Sequence, residues 1–146
     1  MTYATLAHAR RRPAEAYSNV GLETQVLSAS PEHLITLLFE GALSAIAKAR
    51  LHMQMGNIPE RGAAISKAID IVDSGLKASV DREAGGEVAT NLIQAYELAV
   101  HYLVQANLHA DEERLLLAEN ILKALGSAWR EACDPATDPA PLQVQS

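Results

Sequence analysis

Glu97 and His101 are the nearest this sequence comes to a catalytic or metal-binding pair. A dinuclear carboxylate centre in a helical bundle needs two Glu-x-x-His units and two further inward carboxylates. Here one Glu precedes one His by four positions, and both project to the polar side of the helix they share. An ordinary solvated i, i+4 pair is the simpler reading. His33, His52 and His109 fall at helix ends or turns without ligand spacing. Cys133 closes the last helical segment with no activating base beside it, which describes a terminal free thiol rather than a nucleophile. Gly85-Gly86 reads as a turn, and neither a phosphate-cradling glycine loop nor a nucleophile elbow is present. The expectation is a protein without catalysis, metal, cofactor or small-molecule substrate.

Composition narrows the partners. A net charge of −6 and a pI near 5.3 disfavour nucleic acid and anionic lipid, whose binding draws on neutralised phosphates. No apolar run approaches the roughly 20 residues that span a bilayer, so no membrane insertion is expected. Arg10-Arg11-Arg12 is followed by polar residues rather than a signal-peptide apolar core, and reads as a solvated tail patch. One cysteine rules out an internal disulfide framework, and a cytosolic (cytoplasmic) location fits best. Hydrophobic residues make up 49% of the chain but aromatics only 4%. Dominated by Ala, Leu, Ile and Val, this composition suits close-packed helices.

The elements that would position any of these groups are therefore helical. In Ser30-Pro31-Glu32-His33, the serine can accept from orphan N–H groups, proline suits the first helical position, and glutamate complements the helix dipole. From there Leu34, Ile35, Leu37, Leu38, Phe39, Ala42, Leu43, Ala45 and Ile46 cover roughly 240° of the circumference, well beyond the stripe one packing partner requires. Gly56-Asn57-Ile58-Pro59 ends this helix and opens a second, with Asn57 as cap; Ile65, Ala68, Ile69, Val72, Gly75, Leu76 and Ser79 form its inner stripe. A turn over 81–86 precedes a third helix carrying Val88, Leu92, Ala95, Tyr96, Ala99, Leu103 and Ala106, widened by Ile93, Val100 and Val104. A joint over 107–110 leads to Asp111 as the cap of a fourth, whose face is Leu115, Ala118, Ile121, Leu122, Leu125, Ala128, Trp129 and Ala132. Short joints make successive helices antiparallel. The expected fold class is all-α: an antiparallel up-down four-helix bundle over 30–133, with an N-terminal segment (1–29) packing on it and a disordered Pro-containing tail (134–146). Leu38, Leu92 and Leu122 are expected at its centre.

Between Tyr17 and Trp129 the chain resembles the flagellar secretion chaperone FliS family. The resemblance is carried by Tyr17-Ser18-Asn19-Val20, Ser30-Pro31-Glu32-His33-Leu34-Ile35, Leu38-Phe39-Glu40-Gly41-Ala42, Lys67-Ala68-Ile69 and Ala106-Asn107-Leu108, in that order. It departs from the family in having Phe39-Glu40-Gly41 where Tyr-Asp-Gly is usual, and in a longer stretch between Tyr17 and Ser30. The resemblance implies a chaperone that holds the disordered C-terminal region of flagellin, blocks premature polymerisation and helps deliver it to the flagellar export gate. Apolar surface left over from the core suits that task, since a disordered client that orders on its carrier needs extended contact. Ile35, Phe39, Leu43, Ile93, Tyr96, Val100 and Val104 are the candidate groove residues, and the resemblance adds Tyr17 and Val20 as client or export contacts. Tyr17, Val20, Leu22 and Val26 make the N-terminal segment a candidate lid over the groove, with a hydrophobic staple on the first helix as the alternative. A four-helix interaction module for another secretion or regulatory partner is the rival function.

Overall fold

The computed structural model describes residues 29–133. Expectations placed on 1–28 and 134–146, including those for Tyr17 and Val20, lie outside the described residues. Two units are distinguished, Met1–Leu34 and Ile35–Ser146, and the packing given below is that of the second.

Helix α1 is Pro31–Met55, α2 Ile58–Asp70, α3 Arg82–His109 and α4 Glu112–Cys133. Ser30 starts α1 as expected: its Oγ accepts from the His33 N–H at 3.1 Å and its carbonyl from the Leu34 N–H at 2.8 Å. At the other end Gly56 takes φ 75°, while the N–H groups of Gly56 and Asn57 donate to the carbonyls of Met53 and His52. This doubly bonded glycine terminus satisfies two orphan carbonyls and reverses the chain within two residues.

Three joints differ from expectation. Asn57 stands at the cap position of α2, but its side chain makes no capping hydrogen bond; its amide nitrogen lies 3.3 Å from His52 Nδ1 instead. Pro59, second in the helix, has no N–H to offer it. The expected turn over 81–86 is a capped helical turn. Asp81 Oδ1 accepts from the N–H groups of Glu83 and Ala84 at 3.1 and 3.0 Å, and the break comes at Gly86 alone (φ 54°, ψ −127°), a conformation that suits glycine. The expected joint over 107–110 shortens to Ala110 and Asp111, because α3 continues through His109. Arg61 holds that last turn, donating to the Asn107 side-chain oxygen at 3.2 Å and its carbonyl at 3.1 Å. Asp111 does cap α4, through the Glu113 N–H at 3.0 Å.

The second segment is also less uniform than its stripe suggests. Past Asp70 the chain widens into a π-helical turn, Ile71–Leu76, then tightens into a 3₁₀ turn, Lys77–Ser79. Gly75 lies within this stretch, and a Cβ there would stand 3.1 Å from the Leu38 side chain, so α1 and the π-helical turn approach closely at that level.

Contacts between helices run start to end around the bundle, which makes neighbours antiparallel. Leu38 meets Gly75 (α1 with the turn that follows α2), Arg61 meets Asn107 (α2 with α3), Gln105 meets Arg114 (α3 with α4), and Arg50 meets Glu112 (α1 with α4). Ile46, Ile65, Val72, Leu76, Leu103, Leu115 and Leu122 are fully buried between them. Of the three leucines expected at the centre only Leu122 is there; Leu38 and Leu92 are partly buried against the core. Val88, placed on the inner stripe by periodicity, is 66% exposed, and Ala89 is buried in its place, since it is Ala89 that stands four residues before Ile93 and seven before Tyr96 on the buried face.

Candidate functional site: an apolar groove at one end of the bundle

Core residues and the half-buried residues packed beside them line a groove of about 490 Å³ at one end of the bundle. Ile35 and Phe39 reach it from α1, Val80 from the α2–α3 corner, Val88, Leu92 and Tyr96 from α3, and Leu125 and Trp129 from α4. Its origin is local. The inner face of α4 recurs every three or four residues, through Leu115, Ala118, Leu122 and Gly126, and a Cβ on Gly126 would stand 3.3 Å from the Phe39 ring. Past that contact the same face continues as Leu125, Ala128, Trp129 and Ala132, half-buried or exposed, and becomes the groove wall.

Two aromatic rings form part of the floor. Phe39 and Tyr96, 2% and 4% exposed, lie with centroids 6.3 Å apart at 46°, within the range of favourable tilted pairs. Burial pushes the Tyr96 phenol up to about 12, so its hydroxyl stays protonated at neutral pH. Of the other polar lining groups, Ser79 donates to the Leu76 carbonyl at 2.8 Å and Asp81 is occupied by its cap. Hydrocarbon dominates the remaining lining. Such a surface holds apolar side chains of another chain by excluding water from both.

The candidate residues divide. Ile35, Phe39 and Tyr96 are brought together in the groove. Ile93, 8% exposed, is a core residue, and Leu43 and Val100 are partly buried against the core. Val104 is exposed on α3, away from the groove lining. Sequence reasoning assigned Leu92, Leu125, Ala128 and Trp129 to inner faces, whereas they line the groove. A signal was present: the chain's one tryptophan stands near the end of the fourth apolar face.

The polar constellations resolve differently from their sequence reading. The expected Glu97–His101 contact is replaced: Lys77 Nζ reaches Glu97 at 3.4 Å and Asp73 at 3.0 Å, and the His101 ring lies 6.1 Å from Tyr102. Hydrogen bonding to Asp73, then to Glu97, holds the Lys77 ammonium above its ordinary range. At the opposite end of the bundle Glu112 accepts from Arg50 and Gln54, each at 2.8 Å, which lowers its carboxyl below the usual range. Among the described residues no group of three or more His, Cys, Asp or Glu is placed to hold a metal ion, and no helix is long and apolar enough to cross a membrane.

Comparison with known proteins is consistent along the chain. The family described as Flagellar protein FliS matches residues 13–136. The flagellar secretion chaperone FliS of Salmonella typhimurium is 44% identical over 123 residues, covering 84% of this chain and 91% of that protein. The FliS of Escherichia coli is 41% identical over 118 residues, 81% and 87% of the two chains. The FliSB chaperone of Pseudomonas aeruginosa is 42% identical over 113 residues, 77% and 89%.

Proposed function

The chain belongs to the FliS family of flagellar secretion chaperones, and on that premise we propose that it binds the disordered C-terminal region of flagellin in the cytoplasm, prevents its premature polymerisation and assists its delivery to the flagellar export apparatus. No catalytic step belongs to this role. The observation that carries the reading is the apolar groove of about 490 Å³ at one end of an otherwise well-filled bundle. A segment that is disordered when free loses ordering entropy on binding, and recovers it by burying apolar side chains along a preformed surface. Laying an amphipathic helix into a groove is the mode that suits such walls. Ile35, Phe39, Tyr96, Leu125 and Trp129 are the proposed contacts, with Leu43, Val100 and Val104 extending the surface along the helices.

In the free protein the N-terminal segment, through Tyr17, Val20, Leu22 and Val26, is proposed to cover the groove and limit self-association through an open apolar patch. Removal of residues 1–26 should leave the fold intact and flagellin-peptide binding equal or tighter; collapse of the fold would make the segment a staple instead.

Calorimetric titration with a C-terminal flagellin peptide tests the function itself. A Kd near 1 μM, about −8 kcal/mol, is expected, together with its loss in Leu125→Glu, which sets a charge in the groove wall. Absence of binding by the folded wild-type protein would overturn the reading. Recovery of another secretion or regulatory protein in preference to flagellin would favour the rival interaction-module role.

A further inference from the structure

We propose that the Tyr96 hydroxyl is a hydrogen-bond donor that sets the register of the docked flagellin segment by taking one of its amide carbonyls. The inference rests on the reading of the groove as the client site, and adds to it a polar recognition point.

Three observations carry it. Tyr96 lines the groove while only 4% of the residue is exposed, its ring held against Phe39. Among the described residues no hydrogen bond engages its hydroxyl, yet no buried polar side-chain atom there is left unsatisfied; the hydroxyl therefore keeps contact with solvent, and the residue that carries it stands in the groove lining. Ser79 and Asp81, by contrast, spend their polar atoms on the backbone of their own corner.

A hydroxyl in this position costs nothing while water reaches it. Once an apolar segment fills the groove, that water is displaced, and an unpaired phenol becomes a penalty in a medium where hydrogen bonds are strong. Only a segment presenting a partner at that depth avoids the penalty, so the contact discriminates between registers of one amphipathic helix. The partner's chemistry follows from the surroundings. A phenol donates better than it accepts, which selects an acceptor. A carboxylate is disfavoured by desolvation and by the Asp81 carboxylate in the same lining. A neutral amide carbonyl remains, supplied by an Asn or Gln side chain or by a main-chain carbonyl at the end of the docked helix, where the last turn leaves carbonyls free.

The test compares wild type, Tyr96→Phe and Leu125→Glu by calorimetry against the C-terminal flagellin peptide and a set in which each Asn and Gln is replaced in turn by Leu. Tyr96→Phe should bind the parent peptide roughly 5- to 30-fold more weakly while melting no lower than wild type. If a side-chain amide is the partner, one Leu-substituted peptide weakens wild type by a similar factor and Tyr96→Phe weakens it no further. If the main chain is the partner, Tyr96→Phe weakens every peptide alike. Unchanged affinity of Tyr96→Phe alongside loss in Leu125→Glu would overturn the register contact and leave the groove standing. A wild-type protein that does not bind, or a Leu125→Glu variant that binds as well as wild type, would overturn the groove and the contact together. Unfolding of Tyr96→Phe would assign the hydroxyl a structural partner and likewise end the proposal.

Discussion

Leu122 and Leu125 are one turn apart on α4, and truncating each to alanine should separate core from groove. Leu122 is 0% exposed, so Leu122→Ala removes three buried carbons at about 0.8 kcal/mol each, near 2.4 kcal/mol in transfer alone. The close packing of the buried core around it opposes collapse, and the unfilled space raises the cost to about 3–5 kcal/mol. At about 4 °C per kcal/mol for a domain of this size, Tm should fall by roughly 12–20 °C. Leu125 is half-buried and faces open groove. Its truncation leaves no sealed void, loses about 1 kcal/mol, and lowers Tm by only about 4 °C. Peptide affinity should reverse the order. Folded Leu122→Ala should bind within about twofold of wild type, whereas Leu125→Ala should bind roughly tenfold more weakly, having lost a wall side chain. Differential scanning calorimetry and isothermal titration on the two variants supply both numbers. Equal falls in Tm, or equal affinities, would mean that the two leucines share one environment and that the boundary between core and groove is misplaced.

Gly86→Ala places a Cβ at φ 54°, ψ −127° and should cost about 1–3 kcal/mol in denaturant melts, whereas a substitution that leaves stability unchanged would deny the break its conformational basis. Tyr96 carries a phenol raised to about 12 by burial against an ordinary value near 10; its stabilising contribution is complete below pH 10 and is lost as pH rises toward 12, so Tyr96→Phe should flatten the alkaline fall in Tm. Glu112 runs the other way, its carboxyl lowered first by Arg50 and then by Gln54: stability present above the ordinary carboxylate range should decline as pH falls through the lowered value, with a shallower acid limb in Glu112→Gln. Ala128→Leu adds bulk to the groove wall and should hold or slightly raise Tm while weakening the flagellin peptide at least tenfold; an unweakened complex would place the client elsewhere.

The helical plan was legible because each helix follows a 3.6-residue apolar period between strong start and stop residues. Ser30, Gly56 and Asp111 act at the helix ends where local chemistry puts them. The misread joints are those where a tertiary partner intervenes. Asn107 is a poor helix former, yet Arg61, 46 positions earlier, binds its side chain and carbonyl and holds the last turn of the helix. No local window contains that bond. The site was half legible for a related reason: periodicity tells which face of a helix is apolar but not where along its length a partner stops. Phe39, Tyr96, Leu125 and Trp129 obey the same spacing as Ala42, Ala99, Ala118 and Leu122, and only the packed structure separates the two sets.

The position of the groove follows from where the chain spends its bulk. Toward the α1–α2 corner small residues, Ala45, Ala49, Ala68, Ala106 and Ala118, each at most 3% exposed, are buried beside Ile46, Ile65, Leu103 and Leu115. At the opposite end Phe39, Tyr96 and Trp129 stand on three different helices and line the groove. Ala84, Ala128 and Ala132 share that lining and add little bulk to it. Small side chains set among large ones leave a hollow that the described residues do not fill. A chain that kept the same helices but carried leucine at those alanines would complete its own core and have no apolar surface to lend. The groove therefore originates in the distribution of side-chain volume along otherwise regular helices.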